Sequence, residues 1–156
     1  MDDTALRLSR GITLLFGDLG LAALAEFPLP NGRRADLVAI DDQGEIVIVE
    51  IKSRRTDFVS DRKWWEYRDY CDRFFFGVGA DFPQEILPED CGLIVADSHG
   101  AAILRPAPHT PLHAARRRAQ IQRIALAACR RLMRLDPLAS LVSPPVAVTP
   151  IDPAAS

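Results

Sequence analysis

Lysine is almost missing from this 156-residue chain: of 19 basic residues, only Lys52 and Lys63 are not arginine. Arginine cannot give up its proton in a protein, so lysine at position 52 marks a place where a compact, titratable cation is wanted. Cysteine is also scarce. Cys71, Cys91 and Cys129 are odd in number and far apart, which excludes a disulfide framework and predicts reduced thiols in a cytoplasmic protein. No apolar run approaches the roughly 20 residues that cross a bilayer, so no membrane partner is expected. The acidic start MDDTALRLSRG lacks the basic opening and apolar core of a signal peptide. Acids are missing from one long stretch. Residues 98–135 hold eight Arg and no Asp or Glu, whereas residues 1–97 carry a balance of −8. The overall charge of −2 conceals this division. An acidic half beside a basic segment suits a metal site working on a polyanion.

What is present centres on Glu45–Ser53 (EIVIVEIKS). The continuous apolar run Ile46–Val49 reads as a strand covered on both faces. Glu50 and Lys52 follow at its end, on one face with Ile46 and Ile48. An acid and a base placed where a buried strand surfaces cost on the order of several kcal/mol unless paired or used. The turns on either side set the register. Asp41-Asp42-Gln43-Gly44 suits a type I turn with a glycine bulge, pairing Asp41 with Glu45 and setting Asp36 opposite Glu50. Leu29-Pro30-Asn31-Gly32-Arg33 repeats the pattern and sets Glu26 opposite Asp36. Three strands would then carry three carboxylates in one row, and like charges so placed call for a cation. A two-residue Asn31-Gly32 turn would instead shift Glu26 by one and turn it away.

Periodicity predicts a first helix over 3–16, strands near 23–29, 34–41 and 45–53, and a second helix from Thr56 or Ser60 to Cys71. Phe74–Gly79 reads as a buried strand, and Gly92–Ala96 with Ala101–Leu104 as a hairpin. A long helix from Pro111 to Leu135 is expected to bury Ile121, Ile124, Ala125, Ala128, Leu132 and Leu135. Arg116, Arg123, Arg130 and Arg134 would project from its opposite side. The expected organisation is one α/β domain over 1–135, with a mixed sheet flanked by helices. Residues 136–156, with five Pro, are expected to form an extended or disordered tail. The amphipathic last helix also suits a homodimer.

The order helix, three-strand meander with Asp36…Glu50-Ile51-Lys52, helix, strand resembles the PD-(D/E)XK nuclease superfamily over roughly residues 3–80. Within it, Gly32-Arg33-Arg34-Ala35-Asp36, Glu50-Ile51-Lys52-Ser53 and Lys63-Trp64…Tyr67…Tyr70-Cys71-Asp72 are similar to the MmcB-like bacterial DNA repair proteins, over most of 1–110. That resemblance implies a restriction-endonuclease-like fold and a role in DNA repair. Many superfamily members carry a further Glu on the first helix. Residues 4–16 here contain no acid, leaving Glu26 as the substitute.

The residue reading assigns Asp36, Glu50 and the Ile51 carbonyl to Mg²⁺, with Mn²⁺ as a substitute, because a hard cation takes oxygen ligands. Lys52 would position the attacking water or neutralise charge on the phosphate. Arg34, Arg54, Arg55, Arg62, Lys63, Arg116 and Arg123 are candidate phosphate contacts on DNA. The expected activity is Mg²⁺-dependent hydrolysis of DNA phosphodiesters. The alternative is a non-catalytic DNA-binding repair factor that keeps the fold. The bland reading of the same residues is a Glu–Lys–Arg network on a strand edge beside a solvated helix.

Overall fold

The computed structural model describes residues 1–135; the expected tail lies outside the described residues. Helix α1 (Asp3–Asp18) leads into strands β1 (Ala22–Pro28), β2 (Arg34–Ile40) and β3 (Ile46–Lys52). A short helix α2 (Arg55–Ser60) and a 3₁₀ helix (Trp64–Tyr70) connect β3 to β4 (Arg73–Val78). Strands β5 (Gly92–Ala96) and β6 (Ala101–Arg105) and the long helix α3 (Ala114–Leu135) complete the fold. The six strands lie in sequence order; β3–β4–β5 run parallel and the outer pairs antiparallel. This is the single α/β domain with a mixed, helix-flanked sheet that the pattern predicts.

Both tight turns form as their glycines require. Leu29 N–H donates to the Arg33 carbonyl at 2.8 Å and Asp41 N–H to that of Glu45 at 3.2 Å, with Gly32 and Gly44 left-handed. The register follows: Ala25 faces Leu37, and Leu37 faces Val49. The second helix differs from expectation. Residues 61–63 interrupt it, and the second part winds as 3₁₀, which brings Trp64, Tyr67 and Tyr70 together at intervals of three.

Two cores sandwich the sheet. Leu8, Ile12 and Phe16 of α1 cover one face, against Leu37, Val47, Val49 and Ile94. Tyr67, Phe74, Phe76 and Ile124 fill the other, beneath the 3₁₀ helix and α3. Strand β1 changes sides between them. Ala23 and Ala25 pack toward α1, whereas Phe27 and Leu29 pack toward α3. A regular strand would keep all four on one face. The break falls at Glu26, whose φ of 50° is unusual for a residue with a side chain.

Helix α3 sits differently from its predicted stripe. Gln120 and Ile124 are buried, while Leu132 and Leu135 are exposed. The helix overhangs β1, the last strand of the sheet on that side, so its final turn meets no core among the described residues. All three cysteines are free thiols, Cys71 and Cys91 buried and Cys129 exposed.

Candidate metal and nucleic-acid site

The ladder between β2 and β3 stops at Leu37–Val49, one step short of the position where Asp36 would face Glu50. There the Asp36 carboxylate replaces the missing strand partner, and its Oδ2 accepts the Ile51 backbone N–H at 2.7 Å. A strand residue points its N–H and C=O to the same edge. The Ile51 carbonyl therefore opens toward the same gap. Burial raises the pKa of Asp36, against the pull of the Ile51 N–H, Lys52 and Arg34.

Glu50 is buried on the α3 side of β3. Its Oε1 accepts from Lys52 Nζ at 3.2 Å. Its Oε2 is buried with no hydrogen-bond partner, the only such side-chain atom among the described residues. Burial, and next the charge of Asp36, push its pKa up to about 7 despite Lys52. The Tyr67 hydroxyl lies near enough to help hold the carboxylate's charge but donates to the Arg34 carbonyl at 3.3 Å, so the second oxygen is left able to take a proton or a cation.

Lys52 is 5% exposed and does not stand free. Besides Glu50, its Nζ meets Asp61 Oδ2 at 2.8 Å. Burial alone would lower the Lys52 pKa, but the two acids outweigh it and the net shift is upward. Asp61 is itself held. Its Oδ1 accepts the Lys63 N–H at 3.1 Å and lies 3.6 Å from Arg33 Nη1. Burial notwithstanding, the bond to Lys52 lowers its pKa. Arg33 continues the chain to Glu66 at 2.7 Å and lies over the Tyr67 ring. Sequence reasoning missed Asp61, Arg33 and Tyr67. The available signal was that a buried Lys52 with one acid already facing a second carboxylate needs another partner.

Glu26 does not join the group. Its register opposite Asp36 is as expected, but its left-handed backbone breaks the pairing there. Its half-exposed carboxylate binds the Met1 amino group at 3.4 Å and Arg34 at 3.3 Å. The row of three acids is therefore two acids, and among the described residues no three Asp, Glu, His or Cys side chains converge to hold a metal.

Apart from Arg34, which is paired with Glu26, the candidate phosphate contacts fall into two places. Arg54, Arg55, Arg62 and Lys63 are all exposed on the segment around α2, downstream of β3. Arg54 and Arg55 line a recess of about 310 Å³ with Ser53 and Gly79, at the ends of β3 and β4. Arg116 and Arg123 are not on the far side of α3 as expected. They flank its buried face and line a recess beside Tyr70 and Pro30.

Comparison with known proteins supplies the family. The model of the MmcB-like DNA repair protein family matches residues 1–139. No curated protein matches. Among solved structures, the SPO1766 protein of unknown function from Silicibacter pomeroyi is similar, at 40% identity with a TM-score of 0.83. That likeness covers 86% of this chain and 92% of the other. No helix among the described residues is long and apolar enough to cross a membrane. With Asp36, Glu50 and Lys52 gathered at the end of β3 and the family model spanning nearly the whole chain, the protein belongs to the MmcB-like DNA repair family.

Proposed function

We propose that the chain is a PD-(D/E)XK-type, divalent-cation-dependent phosphodiesterase acting on DNA in repair. One observation carries the reading: the unpartnered Oε2 of Glu50, nine-tenths buried beside Asp36. A structural ion pair would leave no such atom. The donor set fits a hard cation, with Asp36, Glu50 and the Ile51 carbonyl as ligands and Mg²⁺ or Mn²⁺ as the ion. Bound there, the cation would polarise a phosphate and lower the pKa of a coordinated water. Lys52, fixed between Glu50 and Asp61, would set its positive charge against the phosphate as negative charge grows. Arg54, Arg55, Arg62 and Lys63 would position the flanking strand.

The test is thermal. Mn²⁺ is expected to raise the melting temperature of the wild type at about pH 8, and much less at about pH 6, where Glu50 keeps its proton. Asp36→Asn should abolish the gain, and Lys52→Ala should keep DNA binding but lose most metal-dependent cleavage. No gain at either pH would overturn the metal site. The engagement of Glu26 with Arg34 and Met1 favours a second reading, a DNA-binding repair factor without turnover. Mn²⁺ binding with no cleavage by the wild type would select it.

A further inference from the structure

The recess beside Tyr70 has a volume of about 620 Å³. It shares Pro30 and Arg123 with a second recess of about 320 Å³, lined also by Pro28, Leu126 and Arg130. Together they form one trough between α3 and the tip of the β1–β2 hairpin. Its helix side carries Arg116, Arg123 and Arg130, spaced seven residues and therefore about 10 Å apart along the axis. None of the three pairs with a carboxylate among the described residues. Arg116 donates to the Asp69 carbonyl and Arg123 to the Gln120 side-chain amide. Arg117, one position on, shows the contrast, because it is committed to buried Asp72. The facing wall is uncharged: Pro28 and Pro30 are exposed, and Tyr70 is half-exposed, with the Arg116 guanidinium 5.8 Å from its ring centre.

We propose that this trough seats a single, unpaired nucleic-acid strand, its phosphates on the arginine row and its bases against the prolines and Tyr70. A charged rail facing a stacking wall is what an unpaired strand requires. In a duplex the base faces are already stacked on one another, and the apolar wall would gain nothing. An arginine row alone would accept either form; the wall selects between them. The inference deepens the DNA-binding part of the reading above by naming the form of the strand, and it does not depend on the metal.

Binding of a fluorescein-labelled oligo-dT and of a hairpin duplex of equal length, followed by anisotropy in EDTA, tests it. The wild type should prefer the single strand at least about fivefold. Arg116→Gln with Arg123→Gln should flatten the log–log salt dependence of single-strand affinity by roughly 1.4. Tyr70→Leu should weaken single-strand binding at least about fivefold without altering that slope. Arg10→Gln with Arg118→Gln removes the same charge away from the trough and should leave the slope nearly unchanged. Circular dichroism and melting check that each variant folds. Equal affinity for both forms, an unchanged slope in the trough variant, or equal flattening in both double variants would overturn the proposal. So would Arg123-dependent binding of an acidic peptide without binding of the oligonucleotide. Because metal is absent, failure here leaves the Mn²⁺ result standing, and failure of the Mn²⁺ shift leaves this result standing.

Discussion

The parallel pair β3–β4 has a buried carboxylate at each end, and the two live under opposite conditions. At the start, Asp72 is 1% exposed and saturated. It accepts the backbone N–H of Ile46 at 2.7 Å and of Leu112 at 2.8 Å, and both terminal nitrogens of Arg117. Burial would raise its pKa, but Arg117 and the two N–H groups hold it below the usual value. At the far end, Glu50 is nearly as buried, yet it has one bonded oxygen, one bare oxygen and a neighbouring acid. A fold that knows how to satisfy a buried acid has satisfied one and not the other. Asp72 locks the segment preceding α3 to the sheet, whereas Glu50 keeps one oxygen without a hydrogen bond.

The largest expected effect falls at the satisfied end. Asp72→Ala should cost roughly 3–5 kcal/mol in urea unfolding, because it leaves two backbone N–H groups and the partly exposed Arg117 guanidinium without their partner. A loss below about 1 kcal/mol would mean that Asp72 is no more structural than Glu50. The Glu50 end should respond to pH instead. A carboxyl whose folded pKa is raised binds its proton more tightly when folded, so stability falls as pH rises from the unfolded value near 4.5 to about 7. The expected fall is up to roughly 3 kcal/mol in the absence of metal. Glu50→Gln should flatten that stretch of the curve and leave the protein more stable than wild type near pH 8. Asp72, with its pKa lowered, should contribute stability that fades only on acidification below the ordinary carboxylate range. A wild-type curve with no decline between about pH 5 and 7 would show that Glu50 is not starved. The smallest effect belongs to Glu26. Its ion pairs are half-exposed, so Glu26→Gln should change stability by less than about 1 kcal/mol and leave the Mn²⁺ gain intact. Loss of the gain would return Glu26 to the metal.

Much of this was legible in the chain. Two glycine turns count off the strands, and counting places Asp36 and Glu50 at the same level because hydrogen-bonded turns leave little freedom. What the pattern could not disclose depends on tertiary contact. Asp61 reaches Lys52 only because α2 ends at residue 60 and folds the chain back over β3. The 3₁₀ helix left a trace, Trp64, Tyr67 and Tyr70 at intervals of three, but that spacing is shared with the edge of an α-helical stripe. The stripe on α3 was misjudged in its last turns because apolar periodicity does not report where a sheet stops. Nothing near Glu26 announces a left-handed residue, since the neighbouring glycines serve other turns.

That one backbone angle has two results at once. By rotating the strand at Glu26, it withdraws a carboxylate from the level of Asp36 and delivers Phe27 and Leu29 to the α3 face, where they support the hairpin tip that walls the trough. A straight β1 would have supplied a third acid and no such wall. The two designs exclude each other within a single hairpin. The proposed metal site therefore has two side-chain carboxylates for the same reason that the proposed strand trough has its apolar wall.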